Sequence, residues 1–464
     1  MAATSQSLPW DERLDYLLKW LEESEGFAVN EHVRLQDTKR SGRGLYLKSG
    51  ALKKRDCIVS IPGDKQLNFY TVIYHISLFN CELAIDGVSC PSSDRANNKI
   101  YEADDPRTEA YRHLTNNVVL GLSSFQLLSL FILFEWKILP QESNFTSFWK
   151  PFFDVFPSFE DLRSIPATWV CDPESGNLEL IEMLPAASKK HAERMVSQVK
   201  HDWETIFPFI QKWLESREGA SQINKQKLFS EFVHVYFVIN SRCLYIEIPL
   251  KTDVADNFTM VPFVDFLNHN SDVDAYCKPR IERLKKSPCG LGNFSIVAGD
   301  HEYVNLGEEI LLNYGAHSND FLLNEYGFVL GENMWNYIDV SSEAMELISQ
   351  VHVKEFLIEN NYWGDYTISS SEVSFRLLVA FAAVVCSDLR KVEKFMLGYI
   401  TESSFGSALS SMLREFIASL TKNVETKVRS LKATSKPDPL CSQNVLHVYE
   451  GYLQILRQHL GDNA

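Results

Sequence analysis

The chain has 464 residues, of which 45% are hydrophobic and 23% are charged. This composition excludes a wholly disordered chain, and the ordinary counts of 21 glycines and 17 prolines exclude a collagen-like fibre. The formal net charge of −16 disfavours a general nucleic-acid binder, whose contact surface is normally basic. The same charge is compatible with a basic polypeptide partner, because long-range attraction raises the rate of encounter.

The nine cysteines are scattered and no two form a CxxC pair, so the sequence predicts neither a zinc knuckle nor a disulfide framework. We therefore expect a reducing, intracellular environment. The acidic N-terminus lacks the continuous apolar core of a signal peptide. Residues 118–136 form the most apolar stretch, but its polar residues favour a buried helix over a membrane span.

The first predicted elements are a helix and a group of short strands. Residues 10–26 carry leucines at helical spacing, and Gly26 is a stop signal. Residues 33–68 contain glycine-rich turns and short strands, including the apolar strand 57–62. The polar segment 91–113 is predicted to be a surface loop.

The rest of the chain continues this alternation. From 123 to about 228 the pattern is mostly helical, with Ser124 as the predicted N-cap of an apolar helix, and 229–239 is a further apolar run. Residues 243–313 again contain short strands and loops, and a helical tail begins at about 341. Two separated groups of short strands suggest one β domain that is interrupted by a helical insertion.

Three groups of residues carry chemical information, and the first is Gly42-Arg43-Gly44-Leu45. Glycines at alternate positions allow the backbone to approach a ligand closely or to adopt a positive φ. The group is not a dinucleotide fingerprint, because no third glycine follows at the required spacing. Taken alone, it is as consistent with a plain turn.

The second group is the sequence from Asp265 through Asn268, His269 and Asn270, which follows an apolar strand. Polar side chains at a strand end are typical of a ligand site. A turn with local side-chain hydrogen bonds explains the same residues. Metal binding is poorly supported, because no second His or Cys has ligand spacing nearby, and we predict no metal.

The third group contains two tyrosines, Tyr314 and Tyr326, each followed by glycine and twelve positions apart. Buried tyrosine hydroxyls need partners, so two convergent hydroxyls could hold a small polar group. Two core aromatics at loop ends are the simpler explanation. The sequence contains no nucleophile elbow, P-loop or kinase signature.

Together these groups resemble the SET-domain protein methyltransferases, in the subgroup typified by the Rubisco large-subunit lysine methyltransferase. The matching motifs occur in the family's order, and they are Gly42-Arg43-Gly44-Leu45, Ser147-Phe148-Trp149-Lys150-Pro151, Ser241-Arg242, Asp265-Phe266-Leu267-Asn268-His269, Gly307-Glu308-Glu309, Tyr314-Gly315 and Glu325-Tyr326-Gly327-Phe328. Three departures from the family pattern are Asn270 in place of a serine, a longer basic segment at 277–292 and an added loop at 81–116.

The resemblance implies an α+β fold in which a SET-type β-fold of short strands has knot-like threading. The threading would carry the strand that bears Tyr314 beneath the Asn268-His269 loop. The implied regions are an N-terminal helix with the first SET half at 1–95, a helical insert at 96–235, the second SET half at 236–335 and an all-helical substrate-binding domain at 336–464.

The resemblance also implies S-adenosyl-L-methionine as the methyl donor and a role for each matched residue. Tyr314 would orient the amine and the methyl group and contact the cofactor, while Tyr326 would line the lysine channel. The remaining cofactor residues would be Arg43, Gly44 and Leu45 through their backbone, Arg242 through the cofactor carboxylate, Asn268 and His269, and Asp265 as the support of their loop.

The implied activity is methylation of a lysine on a non-histone protein. A basic substrate such as a ribosomal protein or translation factor suits the acidic chain. We expect a monomer that has no nucleic-acid or membrane partner. We expect the protein in the cytoplasm, with the nucleus as a second compartment. Two alternatives remain open, a histidine methyltransferase of the same subgroup and a catalytically inactive SET-like binding module. Retention of Tyr326 favours lysine over histidine.

Overall fold

A computed structural model describes residues 8–38, 42–88, 105–142, 145–172, 176–216, 224–248, 250, 256–272, 277–281, 291–433 and 438–461. The chain forms two compact units. The first comprises Met1–Leu162 and Ser197–Gly315, and the second comprises Arg163–Val196 and Ala316–Ala464. The four regions expected from the resemblance stay a prediction.

Sixteen α-helices occur in the described residues. They are α1 Trp10–Glu22, α2 Phe69–Ser77, α3 Pro106–Ala110, α4 Asn116–Gly121, α5 Ser124–Ile132, α6 Lys150–Phe153, α7 Pro166–Cys171, α8 Ala186–Glu215, α9 Lys225–Arg242, α10 Asn319–Tyr326, α11 Ser341–Leu347, α12 Val351–Glu359, α13 Phe375–Val385, α14 Leu389–Met396, α15 Gly406–Ala433 and α16 Pro439–Leu460. No helix in this part of the chain is long and apolar enough to cross a membrane.

The strands are short throughout. They are β1 Ala28–Val29, β2 Val33–Thr38, β3 Gly42–Leu47, β4 Cys57–Ile61, β5 Leu67–Asn68, β6 Cys243–Tyr245, β7 Phe258–Met260, β8 Asn268–His269, β9 Lys278–Ile281, β10 Phe294–Val297, β11 Glu309–Leu312, β12 Tyr337–Asp339 and β13 Thr367–Ser369.

Early strands pair with late strands in the three sheets of the first unit, whose orders are β1-β4-β10-β9, β2-β3-β11-β8 and β5-β7-β6. Each sheet therefore combines strands from before and after the helical insertion, as the separated strand groups predict. The apolar side chains of Ile58, Val59 and Ile61 on β4 are fully buried. Both faces of this strand are therefore buried, because successive side chains point to opposite faces of a sheet.

The first helices differ in detail from the prediction. Helix α1 ends at Glu22, four residues before Gly26. The N-cap of α5 is Ser123, whose side chain accepts a hydrogen bond from the Gln126 amide, so the prediction of Ser124 was wrong by one residue. Ser124 instead donates its hydroxyl to the carboxylate of Asp256, at 2.6 Å.

The predicted surface loop 91–113 is partly helical and partly buried. Residues 91–104 lie outside the described residues, but α3 begins at Pro106 after an Asp105 cap. Tyr111 is fully buried and donates to the Glu135 carboxylate at 2.6 Å. The polar composition therefore misled the prediction, because its charged residues pair with one another and Arg107 lies over the Phe79 ring at 3.9 Å.

His234 on α9 is the best-defined buried titratable group of the helical insertion. Its Nδ1 lies 3.1 Å from the Lys137 ammonium, and its Nε2 lies 2.9 Å from the Pro157 carbonyl. Because the ammonium can only donate, Nδ1 accepts and Nε2 carries the proton that is donated to Pro157. Burial, reinforced by the charge of Lys137, lowers the pKa of His234 to about 4.

The second unit is mainly helical around one core, in which α15, α16 and α13 pack together. Leu377, Val379 and Phe381 on α13 are fully buried. The unit also contains an antiparallel ribbon of β12 and β13, which the sequence pattern did not predict. The expected helical C-terminal region is confirmed, with this ribbon as an addition.

Candidate active site

The centre of the candidate site is a strand pairing between residues far apart in sequence. Strand β8 pairs in parallel with β11, so that Asn268 lies opposite Leu311 and His269 opposite Leu312. Beyond β8, the Asn270 amide donates to Leu312 and the Cys277 amide donates to Leu311. Both ends of the segment that leaves β8 therefore contact the same strand end, which is the arrangement that knot-like threading requires.

Gly44 allows two polar side chains to approach β3. Asn268 Nδ2 donates to the Arg43 carbonyl at 3.0 Å and to Glu309 Oε1 at 2.7 Å. A Cβ at Gly44 would lie 2.5 Å from Glu309 Oε1 and 2.9 Å from Asn268 Nδ2. Any larger residue here would require these two side chains to move, because they occupy the space of a methyl group. Leu45 follows with a fully buried side chain and lies opposite Ile310 of β11.

Arg242 and Asp265 form the charged part of the site. Arg242 ends α9 and donates through one terminal nitrogen to the Asp265 carbonyl at 2.8 Å, with the carboxylate at 3.5 Å. The Asp265 side chain is 1% exposed. Burial raises the pKa of the Asp265 carboxyl, and Arg242 opposes this effect. The pair therefore anchors the short 3₁₀ turn Val264–Phe266 that leads into β8.

Tyr314 follows β11 and is held against the β8 segment at both ends. Its hydroxyl donates to the Leu267 carbonyl at 2.6 Å, and its amide donates to His269 Nδ1 at 3.1 Å. The Tyr314 and His269 rings stack with their centroids 5.0 Å apart. Burial raises the pKa of Tyr314 to about 12, so the phenol stays neutral at physiological pH.

A strained residue precedes this segment. Phe263 has φ of +69°, which a bulky residue rarely adopts, and it is buried. Its ring contacts Phe266 with centroids 5.9 Å apart. Such strain costs about 1–3 kcal/mol and persists only where packing enforces it. The packing of Phe263 thus turns the chain toward Asp265 and β8.

Tyr326 belongs to the second unit and is described there. It is the last residue of α10, which ends in a left-handed Gly327 with φ of +79°. The Gly327 carbonyl accepts from Asn444 Nδ2 at 3.0 Å. The preceding Glu325 pairs with His191 of α8 at 2.6 Å. The two contacts fix the end of the helix that carries Tyr326.

The structure brings eight of the predicted site residues together in the first unit, and Tyr326 is the ninth. The eight are Arg43, Gly44, Leu45, Arg242, Asp265, Asn268, His269 and Tyr314. Two participants were not predicted. Glu309 accepts a hydrogen bond from Asn268, and its place in the Gly-Glu-Glu turn was the sequence signal that could have identified it. The ring of Trp10 lies 3.8 Å from the Arg43 guanidinium, and no sequence signal pointed to this contact.

The departures from the family pattern are only partly described. Asn270 accepts a hydrogen bond from Asn313 Nδ2 at 2.8 Å through its carbonyl, so its backbone supports the segment around Tyr314. In the segment 277–292, residues 278–281 form β9 at the edge of a sheet, and 282–290 lie outside the described residues.

Arg242 in the first unit fits a ligand that has a carboxylate. Arg242 Nε is buried without a hydrogen-bond partner in the described part of the chain. A guanidinium with a free N–H is well suited to a carboxylate. This feature matches the carboxylate of the amino-acid moiety of S-adenosyl-L-methionine.

Solved structures of known proteins share this architecture. A crystal structure of the SET domain of LSMT bound to lysine and AdoHcy matches with a TM-score of 0.54 and 15% identity, covering 98% of this chain and 91% of that chain. A structure of Rubisco LSMT bound to sinefungin and monomethyllysine matches equally well, over 97% and 90%. The fold is therefore that of a SET-domain methyltransferase, and the predicted fold class is confirmed.

Sequence comparison gives the family. A family model described as the ribosomal lysine N-methyltransferase 2 C-terminal domain matches residues 336–462. The chain is 46% identical over 473 residues to ribosomal lysine N-methyltransferase 2 of Saccharomyces cerevisiae, covering 97% of this chain and 99% of that protein. The chain belongs to this family of SET-domain protein-lysine methyltransferases, which confirms the resemblance and the predicted enzyme class.

Proposed function

We propose that this protein methylates a lysine side chain of a ribosomal protein, with S-adenosyl-L-methionine as the methyl donor. The observation that carries the proposal is the 46% identity to a ribosomal lysine N-methyltransferase along nearly the whole of both chains. The hydrogen-bonded cluster of Asn268, His269 and Tyr314 supports it, because the residues that the resemblance assigns to cofactor and amine lie in contact.

The chemistry requires a neutral amine. The donor supplies a methyl group on a positively charged sulfur, so the protein needs no metal or covalent nucleophile. A lysine with a pKa of about 10.4 must lose a proton at pH 7, which costs about 4.6 kcal/mol. The charged Arg242 and the buried surroundings of Tyr314 disfavour the ammonium form in the site.

Tyr314 acts by orientation and not as a base. Its hydroxyl proton is directed to the Leu267 carbonyl, so the phenol oxygen remains an acceptor for an amine N–H. A pKa of about 12 means that the phenolate is scarce at neutral pH. Tyr314 therefore holds the amine lone pair in line for transfer, and the proton leaves by another route.

The substrate that we propose is a basic, non-histone ribosomal protein. The net charge of −16 favours encounter with a cationic partner, and the name of the Saccharomyces cerevisiae relative points to the ribosome as the source of that partner. The proposal includes a monomeric enzyme that binds neither nucleic acid nor membrane. It places the enzyme in the cytoplasm, with the nucleus as a second compartment.

The test is methyl transfer from labelled S-adenosyl-L-methionine to extract from cells that lack this protein. We expect one labelled ribosomal protein that yields methyl-lysine on acid hydrolysis, and much weaker labelling with Tyr314→Phe. Methyl-histidine would instead establish the histidine-methylating alternative. Absence of both transfer and cofactor binding would establish the inactive binding module.

A further inference from the structure

The second unit contains a cavity of about 550 Å³ that lies entirely within its own elements. Ligand sites typically have volumes of about 300–1,000 Å³, so this space can admit a side chain and part of a polypeptide. Its apolar walls come from the segment before α8, from β12 and from helices α15 and α16. The apolar lining residues are Leu184, Ile338, Val340, Leu420, Val424 and Leu456.

Two tyrosines of α16 line the cavity, and the hydroxyl of each already donates a hydrogen bond. The Tyr449 hydroxyl donates to the Met183 carbonyl at 3.1 Å, and the Tyr452 hydroxyl donates to the Asp320 carboxylate at 2.7 Å. The aromatic rings are therefore held in place by contacts outside the cavity. A ring fixed in this way is a preformed surface for an aliphatic stem or a cation.

One carboxylate oxygen of the cavity lacks a hydrogen-bond partner in the described residues. Glu343 on α11 lines the space, and its buried Oε2 has no hydrogen-bond partner in the part of the chain that the structure describes. Asp339 lines the same space. Burial raises the pKa of the Glu343 carboxyl, a hydrogen bond from its own backbone amide opposes this, and the charges of Asp339 and Glu346 raise the pKa further. A buried carboxylate oxygen without a partner is costly, and a bound cation would remove that cost.

The lysines that line the cavity form no ion pair with Glu343 in the described residues. Lys189 contacts both oxygens of Glu182, at 2.8 and 2.7 Å, so this ion pair is complete. Lys427 is exposed, and none of the ion pairs of the described residues joins it to Glu343. After the Glu182–Lys189 pair is set aside, Asp339 and Glu343 face the single charge of Lys427. This balance favours a cationic ligand over an anion.

We propose that this cavity binds a cationic side chain, arginine or lysine, of the substrate protein at a position other than the methylated residue. The apolar walls and the rings of Tyr449 and Tyr452 contact the aliphatic stem, and Glu343 accepts from the charged head. The assignment of the occupant as a substrate residue rests on the proposed function. It makes the second unit a selector of basic protein substrates.

Direct binding is tested with a fluorescein-labelled tetra-arginine peptide and the full-length protein, by fluorescence anisotropy. Glu343→Gln preserves shape and removes the acceptor charge, and we expect it to weaken binding about tenfold. Glu346→Gln is the matched control, because it makes the same change of net charge at an exposed position of α11 that does not line the cavity. Its affinity should stay within about twofold of the wild type.

A second variant tests whether filling the cavity, without changing its charge, also weakens peptide binding. Asn423 is exposed on α15 and lines the cavity, so Asn423→Trp should fill the space without disturbing the core. We expect it to weaken peptide binding while the thermal unfolding midpoint remains that of the wild type. No binding by the wild type, or equal weakening by Glu343→Gln and Glu346→Gln, would overturn the proposed cavity site.

Methyl transfer then tests whether the occupant belongs to the substrate. With the ribosomal protein fraction from cells lacking the enzyme, Glu343→Gln should raise KM about five- to tenfold and leave kcat and cofactor affinity unchanged. Wild-type kinetics in this variant would refute the substrate assignment while the proposed function stands. Absence of transfer by the wild type would refute the proposed function, and the peptide measurement would still decide the cavity site.

Discussion

The requirement for glycine at position 44 can be tested by Gly44→Ala. The added Cβ would lie 2.5 Å from Glu309 Oε1 and 2.9 Å from Asn268 Nδ2, whereas ordinary contacts begin at about 3.4 Å. Both side chains must therefore move, Glu309 by about 0.9 Å and Asn268 by about 0.5 Å. That movement breaks the 2.7 Å bond between them or the 3.0 Å bond from Asn268 to the Arg43 carbonyl.

The expected magnitude follows from these two bonds. A hydrogen bond to a charged group contributes about 1.5–3 kcal/mol and a neutral one about 0.5–1.5 kcal/mol. Replacing glycine by alanine recovers about 0.4–1 kcal/mol, because the unfolded chain has less freedom to lose. The free energy of unfolding of Gly44→Ala should therefore fall by about 1–3 kcal/mol. Cofactor affinity should fall at least about tenfold, because the resemblance assigns Arg43 and Asn268 to the cofactor site.

The assay is urea unfolding monitored by tryptophan fluorescence, together with calorimetric titration of S-adenosyl-L-methionine. Gly121→Ala is the control, because a Cβ at this helical glycine meets nothing within 4 Å. It should leave the free energy of unfolding and the free energy of cofactor binding within about 0.5 kcal/mol of the wild type, or raise stability slightly. If Gly44→Ala behaves like this control, the close approach of Asn268 and Glu309 to β3 does not explain the glycine.

Three further predictions concern Tyr314, Arg242 and His234. Tyr314→Phe should lower kcat about 10²–10³-fold in the transfer assay while cofactor affinity changes little, since only the orienting hydroxyl is lost. Arg242→Lys should weaken calorimetric cofactor binding about tenfold or more, because an ammonium cannot bridge Asp265 and a carboxylate as a planar guanidinium can. Protonation of His234 should destabilise the folded state in acid, because the pKa of His234 is about 4 in the folded state and 6.5 in the unfolded state. The contribution of neutral His234 to the free energy of unfolding is therefore complete above pH 6.5 and is lost as the pH falls toward 4.

Each prediction has an outcome that contradicts it. Unchanged turnover in Tyr314→Phe would remove the orienting role, and wild-type cofactor affinity in Arg242→Lys would remove the carboxylate contact. For His234 the loss between pH 7 and pH 5 is about 2 kcal/mol, and it should be absent in His234→Gln. An equal pH dependence of urea unfolding in that variant would show that His234 is not the group responsible.

Short-range patterns were sufficient for the element types and for the family. Leucine spacing predicted α1, and the ordered motifs predicted a SET domain split by helices, which the comparisons confirm. These signals are local, because periodicity, caps and turn residues act within a few positions of the chain. Local patterns failed where long-range pairing overrides composition, as in the buried polar segment around Tyr111 and the unpredicted β12–β13 ribbon.

The atomic arrangement of the site depends on residues that are distant in sequence. Asn268 and Arg43 are 225 positions apart, and no local pattern indicates that one side chain fills the space above Gly44. The cavity beside Glu343 likewise requires elements from residues 182 to 456. Composition and spacing establish which chemistry a chain can carry. The free energy of packing distant segments selects which side chains meet and which, like Glu343, keep an oxygen without a partner in the described residues.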